Sequence, residues 1–300
     1  MKPLLIWLLL CIVWGTTWIF IKLGLADLPP LSFAASRFSL ACLILFPILK
    51  LQKIEMPKGK GVWSFIFITG VLQFFLNYGL LFWGEQYITS GLAAVLQATI
   101  PAFGLILARI YVGEQITGLK IASILLGLTG VVVIFREQLF LNGGMAFLGS
   151  LAVVAGAFGA SYASVLTKAK GVSYHPASVV FWQMLVGHFP LWAVGFFKEG
   201  SPLDFRWTWQ ALICVLYLAV FGSIVAFWLY YWLLSKIDVT KAMMIAFVTP
   251  LVAVSVGSFF GEKLEVQTLV GGVLILLSVF LIVIKPFLNR SFRFQVSGFR

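Results

Sequence analysis

Nine stretches of 15 to 30 residues carry no charged side chain: Pro3–Ile21, Gly61–Gly84, Gln86–Ala108, Ile121–Phe135, Gln138–Thr167, Gly171–Phe197, Trp207–Ser235, Ala242–Gly261 and Val266–Ile284. A tenth, Leu31–Leu49, is broken only by Arg37. A helix crossing the ~30 Å hydrocarbon core of a bilayer needs about 20 mostly apolar residues. The runs therefore predict ten membrane helices, near 4–22, 31–49, 62–83, 90–111, 118–135, 145–167, 176–197, 209–233, 240–260 and 266–285. Pro29-Pro30, Pro57-Lys58-Gly59, Asn142-Gly143-Gly144 and Gly200-Ser201-Pro202 break the chain between helices. No connection is long enough for a water-soluble domain. The apolar share of 61%, the charged share of 10% and the mean hydropathy of +1.05 exclude a soluble enzyme and a disordered chain. The first run lacks a small-x-small cleavage site and continues past the length of a signal peptide, so an uncleaved first helix is expected.

The net charge of +11 has a topological explanation. With the N-terminus in the cytoplasm and the helices alternating, 15 of the 21 basic residues fall on the cytoplasmic side, from Lys2 through the clusters Lys50–Lys60, Arg109/Lys120, Lys168/Lys170 and Lys236/Lys241 to the tail after Lys285. Five, Lys22, Arg136, Lys198, Arg206 and Lys263, fall outside, and Arg37 lies within the membrane. Positive charge collects on the cytoplasmic side of membrane proteins. The expected arrangement is thus a multi-pass protein of the cytoplasmic membrane with both termini inside, touching lipid and no nucleic acid. Cys11, Cys42 and Cys214 are odd in number and lie in apolar runs, which excludes a disulfide framework and a metal motif.

The chain repeats itself. Trp83, Ala93 and Pro101 recur as Trp232, Ala242 and Pro250 at identical spacing, and both stretches end in Gly-Glu, at Gly113-Glu114 and Gly261-Glu262. Pro30 and Arg37 match Pro176 and Gln183, while Trp14-Gly15 and Trp18 match Phe158-Gly159 and Tyr162. Each half holds five helices. Because five is odd, the second copy starts on the opposite face, and the predicted fold class is an all-α integral membrane protein of two inverted five-helix repeats, 1–138 and 139–288, followed by a basic tail, 289–300. Inverted repeats meeting near the midplane are a recurrent basis of alternating access.

These features, Trp14-Gly15 and Lys22 in the first helix, Pro30 with Arg37 in the second, and the Ala-x7-Pro and Gly-Glu ends of helices four and nine, resemble the EamA family, the ten-helix branch of the drug/metabolite transporter superfamily. The resemblance spans residues 3 to about 285. It implies a secondary carrier, often an exporter of amino acids or other small metabolites, with both termini cytoplasmic, and it names no substrate.

Arg37 is the most informative single residue, since a central arginine costs ~2.5–3.5 kcal/mol on insertion scales and faces a bundle interior or a wet cavity. Two readings stand: an anchor for a substrate carboxylate or phosphate, or a cation stitched to helix-end carbonyls. Its repeat mate Gln183 is neutral. Gln73 and Asn77 share a helix face, with Tyr78 beside them and Gln97 one turn before Pro101, and each is either interhelical glue or part of a polar cavity. Trp14 and Trp18, one turn apart, with Tyr162 and with Trp228 stacked on Trp232, suit an aromatic cavity wall, whereas Trp63, Trp207 and Trp209 sit at helix ends as interface anchors. The expected substrate-contacting set is Trp14, Trp18, Arg37, Gln73, Asn77, Tyr78, Gln97, Tyr162, Gln183 and Trp228. Pro101 and Pro250 are expected to act as paired hinges, because proline removes a backbone hydrogen bond mid-helix. His188 reads as a packing histidine. Glu85, Glu114 and Glu262 read as solvated helix caps. Gly257 and Gly261 form a generic close-approach pair.

No catalytic residue, metal ligand or cofactor is indicated. Gly113–Lys120 lacks the Gly-Lys-Ser/Thr of a phosphate loop. The expected function is transport of an amino acid-like or related organic solute, as an exporter. The competing readings are a multidrug-type exporter, an intramembrane enzyme and a non-transporting scaffold. The oligomeric state is not encoded in these patterns.

Overall fold

In the computed structural model, which describes residues 3–88, 90–136, 143–170, 173–259 and 266–284, the apolar runs become ten helices. They are α1 (Pro3–Gly24), α2 (Pro30–Leu51), α3 (Lys60–Gly84), α4 (Leu92–Val112), α5 (Gly118–Ile134), α6 (Gly144–Lys170), α7 (Pro176–Glu199), α8 (Trp209–Leu234), α9 (Val239–Val256) and α10 (Val266–Val283). Nine are long and apolar enough to cross a membrane, and α5 is the shorter tenth. Pro30 and Pro176 open α2 and α7 at the first helical position, where no backbone donor is needed. Gly261-Glu262, which forms half of the matched Gly-Glu ends and of the Gly257/Gly261 pair, lies outside the described residues, as does the basic tail.

The described connections sort to two ends, as alternation requires. At one end Lys120 Nζ bonds Glu114 Oε1 at 2.6 Å and approaches Asp238 Oδ2 at 3.7 Å, joining the α4–α5 and α8–α9 connections. Lys168 Nζ donates to the carbonyls of Leu234 and Ile237, adding the end of α6. Ser178 Oγ donates to the Glu55 carbonyl, adding the α2–α3 connection. At the other end Arg206 meets Asp27 at 3.6 Å, and the Glu199 carboxylate accepts from the backbone N–H of Leu31 and Ser32, both at 2.8 Å. A carboxylate on those orphan donors also suits the positive end of the α2 dipole.

Packing between the halves is reciprocal. α2 packs on α7 and α5 on α10, while α4 packs on α6 as α9 does on α1, so exchanging the two repeats maps these pairings onto themselves. The α5–α10 crossing depends on glycine. A Cβ on Gly271 would stand 2.5 Å from the Gly130 carbonyl oxygen, and one on Gly130 would stand 2.7 Å from that of Gly271. Lipid tails are as apolar as leucine, so van der Waals contact at such small-residue crossings drives helix association.

Two longer helices share a local departure from α geometry. α3 contains a π-helical segment at Val71–Asn77 and α8 one at Val220–Val225, and both begin at the 149-residue offset that separates Trp83 from Trp232. The prolines are less symmetric. α4 is interrupted by a turn at 98–99, directly before Pro101, which sits at the first turn of the segment Ile100–Val112. α9 is interrupted at Met244, six residues before Pro250, which lies inside the helix Ile245–Phe259. The backbone break thus falls beside the proline in one repeat and a turn and a half away in the other.

Gly271→Leu should force α5 and α10 apart. Overpacking against a backbone carbonyl costs ~1–3 kcal/mol or more. The variant should unfold at a lower temperature in detergent than Leu276→Ala on the exposed face of α10. Equal unfolding temperatures would show that the close crossing is not limiting.

Candidate functional site

A cavity of about 150 Å³ lies where α1, α3, α4, α6, α8 and α9 converge around Arg37 of α2. A water needs roughly 10–15 Å³ by the same measure, so the space admits a solute on the order of ten water positions in size. Trp14, Trp18, Arg37, Gln73, Asn77, Tyr78 and Gln97 all line it, and so does Pro250. Along α1 and α3 it extends as far as Ile21 and Leu81, on the side of the ends that lead to Asp27 and Glu85.

The α8 π-segment positions Arg37. Widening a helical turn displaces carbonyls from their usual donors, and such bulges are common at functional sites. Here the Gly222 carbonyl accepts from Arg37 Nη2 at 3.2 Å and from the Trp14 indole at 3.3 Å. Ser223 Oγ accepts from Arg37 Nη2 at 3.0 Å and from Nε at 3.2 Å, while donating to the Leu218 carbonyl at 2.9 Å. Gly222 is required for this approach, since a Cβ there would come within 3.2 Å of Nη2 and 2.9 Å of Thr17 Cγ2. The guanidinium lies 4.9 Å from the Tyr78 ring centroid and 5.0 Å from that of Phe38, within cation–π range. Arg37 is 1% exposed, and no carboxylate pairs with it among the described residues. Stitching to carbonyls is therefore visible, and the charge is left without a counter-ion at the cavity wall.

The rest of the wall is amide and aromatic. Gln97 Nε2 donates to Asn77 Oδ1 at 3.2 Å, tying α4 to α3. The Gln73 amide has no side-chain hydrogen bond among the described residues and borders the cavity. Trp14 meets Phe227 and Tyr230 edge-on at 5.4 and 5.2 Å, and Tyr78 meets Phe38 edge-on at 5.0 Å. Such geometry is favoured by the ring quadrupoles.

Three expected residues lie elsewhere. Tyr162 pairs its hydroxyl with that of half-exposed Tyr111 at 2.8 Å. Gln183 is fully buried: Nε2 donates to Thr69 Oγ1 at 2.5 Å and Oε1 accepts from the Tyr231 hydroxyl at 2.5 Å, so its amide is spent on joining α7 to α3 and α8. Trp228 packs edge-on against His175 at 5.5 Å. Pro101 is not in the lining. His188 bonds the Met184 carbonyl of its own helix at 3.2 Å, as a packing residue would.

The hydropathy pattern missed Phe227, Tyr230, Met243, Ala246 and Thr249, which also line the cavity. The repeat contained the signal. At the 149-residue offset these are the mates of Tyr78, Leu81, Ala94, Gln97 and Ile100, all of them lining residues. Two acidic residues also differ from the solvated caps expected. Glu114 is 8% exposed; besides Lys120 it accepts from the Val239 N–H at 3.1 Å, closing the α4 end onto the start of α9. Asp238 nearby is pushed up by burial, but its hydrogen bond to Lys241 and the charges of Lys241, Lys120 and Lys168 outweigh this and hold its carboxyl below the usual range. Glu85, just beyond α3, buries Oε1 without a hydrogen-bond partner among the described residues, and burial pushes its carboxyl up to about 7 from 4.5.

A raised carboxyl binds more protons folded than unfolded, so the folded state should lose stability as pH climbs from about 4.5 through 7, by up to ~3 kcal/mol. Glu85→Gln should remove that loss. Thermal unfolding at pH 5 and pH 8 should show a smaller difference in the variant than in the parent, and an equal difference would place the pH sensitivity elsewhere.

Comparison with known proteins agrees with this architecture. The pattern of the EamA-like transporter family matches residues 1–136 and 147–284. The chain is 27% identical over 275 residues to the uncharacterized transporter YoaV of Bacillus subtilis, covering 90% of this chain and 92% of that one. It is 30% identical over 262 residues to the uncharacterized inner membrane transporter YedA of Escherichia coli K12, covering 85% and 81%. It is 26% identical over 284 residues to the probable amino-acid metabolite efflux pump of the same strain, covering 91% and 92%. A solved crystal structure superposes with a TM-score of 0.81 at 16% identity, covering 94% of this chain and 96% of that one, which shows the shared fold. The protein is a multi-pass membrane transporter, and the chain belongs to the EamA-like transporter family.

Proposed function

We propose that the protein exports a small amphipathic metabolite whose acidic group, a carboxylate or similar anion, meets Arg37. The observation that carries this reading is the unpaired guanidinium on the wall of a solute-sized cavity. Trp14, Trp18 and Tyr78 face an apolar body, and Gln73, Asn77 and Gln97 supply orienting amides, a pattern common to small-molecule sites. The likeness to a probable amino-acid metabolite efflux pump supports an amino acid-like solute. A multidrug-type exporter would share the aromatic wall, but a fixed positive charge disfavours cationic drugs. Transport without catalysis fits a site whose lining holds hydrogen-bonding amides, aromatics and one arginine, groups that bind rather than transform.

The repeats, 1–138 and 139–288, are the units that move against one another, with both termini in the cytoplasm as the 15-to-5 distribution of basic residues supports. The ion cluster of Glu114, Lys120, Asp238 and Lys168 then lies at the cytoplasmic end and holds it shut in this conformation. Pro101 and Pro250 are the hinges, the first beside a backbone break and the second along the cavity. Tyr162, Gln183 and Trp228 support the site from behind rather than touch the solute in this conformation.

A metabolite efflux and uptake screen in cells overproducing the protein identifies the solute. Losing a hydrogen bond to a charged group costs about 1.5–3 kcal/mol. Arg37→Gln should therefore weaken transport of an acidic solute by roughly ten- to a hundredfold, with Arg37→Lys retaining part of it. Gln73→Leu, which breaks no existing hydrogen bond, should reduce transport while leaving membrane abundance unchanged. Full transport by Arg37→Gln would contradict the anchoring role.

A further inference from the structure

Two further cavities lie away from the central one, between the α2–α3 connection and the start of α7. The larger, about 560 Å³, has a mixed lining that includes Lys53, Lys58, Glu55, Tyr174 and His175. The smaller, about 220 Å³, is walled by Phe46, Leu49, Phe181 and Trp182, with Lys50 and Lys53 at its edge. Lys53, Ile54 and Met56 border both, so a basic pocket opens beside an apolar one.

The backbone at Lys53 is unusual. Its φ of 51° is the left-handed conformation that favours glycine. It terminates α2 in a Schellman turn, with Ile54 N donating to the Leu49 carbonyl at 3.0 Å and Lys53 N to that of Lys50 at 3.1 Å. Glycine is the usual residue at this position. Lys50 already complements the helix dipole, so a lysine held in the strained position two residues into the turn calls for a further cause. Lys53 and Lys58 share the larger cavity with the single carboxylate of Glu55, Lys50 borders the smaller one beside Lys53, and none of the three lysines is ion-paired among the described residues. Phe46 and Trp63, both partly exposed, flank the site, with Lys50 Nζ 5.1 Å from the Phe46 ring centroid and Trp182 edge-on to Trp63 at 4.9 Å. Aromatic rings at this depth mark the membrane interface.

We infer that this surface binds the headgroup of an anionic phospholipid, its phosphate between Lys50, Lys53 and Lys58 and the head of an acyl chain along Phe46, Leu49 and Trp182. Basic pockets between helices, set beside lipid-facing apolar surface, recognise such headgroups. The occupant is a lipid rather than a free anion because the apolar cavity continues from the basic one through shared residues.

The test uses the full-length protein purified in neutral detergent and titrated with phosphatidylglycerol, with phosphatidylcholine of the same chains, and with inorganic phosphate. Binding is followed by thermal unfolding and native mass spectrometry. Phosphatidylglycerol should raise the unfolding temperature and stay bound, and phosphatidylcholine should not. The apparent affinity should fall by roughly fivefold for each of the substitutions Lys50→Gln and Lys53→Gly. Without lipid, Lys53→Gly should unfold at a higher temperature than the parent, because glycine relieves the backbone, which separates lost binding from lost folding. Lys236→Gln, a basic residue in the α8–α9 connection at the same end, should keep the parent's affinity. An unchanged phosphatidylglycerol response in the Lys50→Gln/Lys53→Gly double variant would overturn the proposal. So would an equal response to phosphatidylcholine, an equal loss in Lys236→Gln, or inorganic phosphate reproducing the whole effect.

Discussion

A backbone carbonyl in hydrocarbon must find a donor inside the protein, and the site in this chain is built around one that accepts from two other helices. In the π-segment of α8 the Ala226 N–H bonds the Phe221 and Ser223 carbonyls in place of the Gly222 carbonyl, which accepts from Arg37 and Trp14. Ser223 extends the same arrangement, bonding Arg37 on one side and the Leu218 carbonyl on the other. One local change in helix geometry thereby holds a cation, an indole and three helices together. It offsets part of the cost of burying the arginine and presents the guanidinium to the cavity.

Repeat symmetry explains much of the wall that α3, α4, α8 and α9 supply, and its breaks explain the polarity there. The facing residues of α3/α4 and α8/α9 come in pairs at one offset: Tyr78 with Phe227, Leu81 with Tyr230, Ala94 with Met243, Gln97 with Ala246 and Ile100 with Thr249. In each pair a polar atom, where present, is on one side only or chemically different. Arg37 reaches from α2 to α8 and Gln183 from α7 to α3 and α8, yet Arg37 borders the cavity and Gln183 is sealed among Thr69, Thr167 and Tyr231. A repeated frame thus carries one charge at the cavity, which under the proposed transport cycle gives a bound solute a single preferred orientation.

Spans, alternation and the seven lining residues from Trp14 to Gln97 were legible because hydropathy and amide placement report burial in a membrane directly. Gln183 and Trp228 were grouped with them because a polar or aromatic residue in a span signals an interior position without saying which interior: Gln183 faces three hydroxyl groups and Trp228 faces His175. Tyr162 is the repeat mate of Trp18, but its hydroxyl is turned to Tyr111 of α4 and not to the cavity. The π-segments left no hydropathy signature, since they alter hydrogen-bond register and not composition. Glu114 looked solvated because it ends a helix, and only the fold brings the α9 N-terminus onto it.

Alternating exposure of one cavity, with the Glu114–Lys120–Asp238 cluster as the closure of one end, is tested most directly by a single thiol. Ala94→Cys, in the cavity wall and on a background with Cys11, Cys42 and Cys214 replaced, is exposed to a membrane-impermeant thiol reagent from each side of sealed vesicles. The introduced thiol should react from the side bearing Asp27 and Arg206 in the parent and gain reactivity from the opposite side when Glu114→Gln is added. Each 1.4 kcal/mol removed from the closure should shift the ratio of the two about tenfold. Reactivity from one side only, unchanged by Glu114→Gln, would contradict an alternating cavity closed by that cluster.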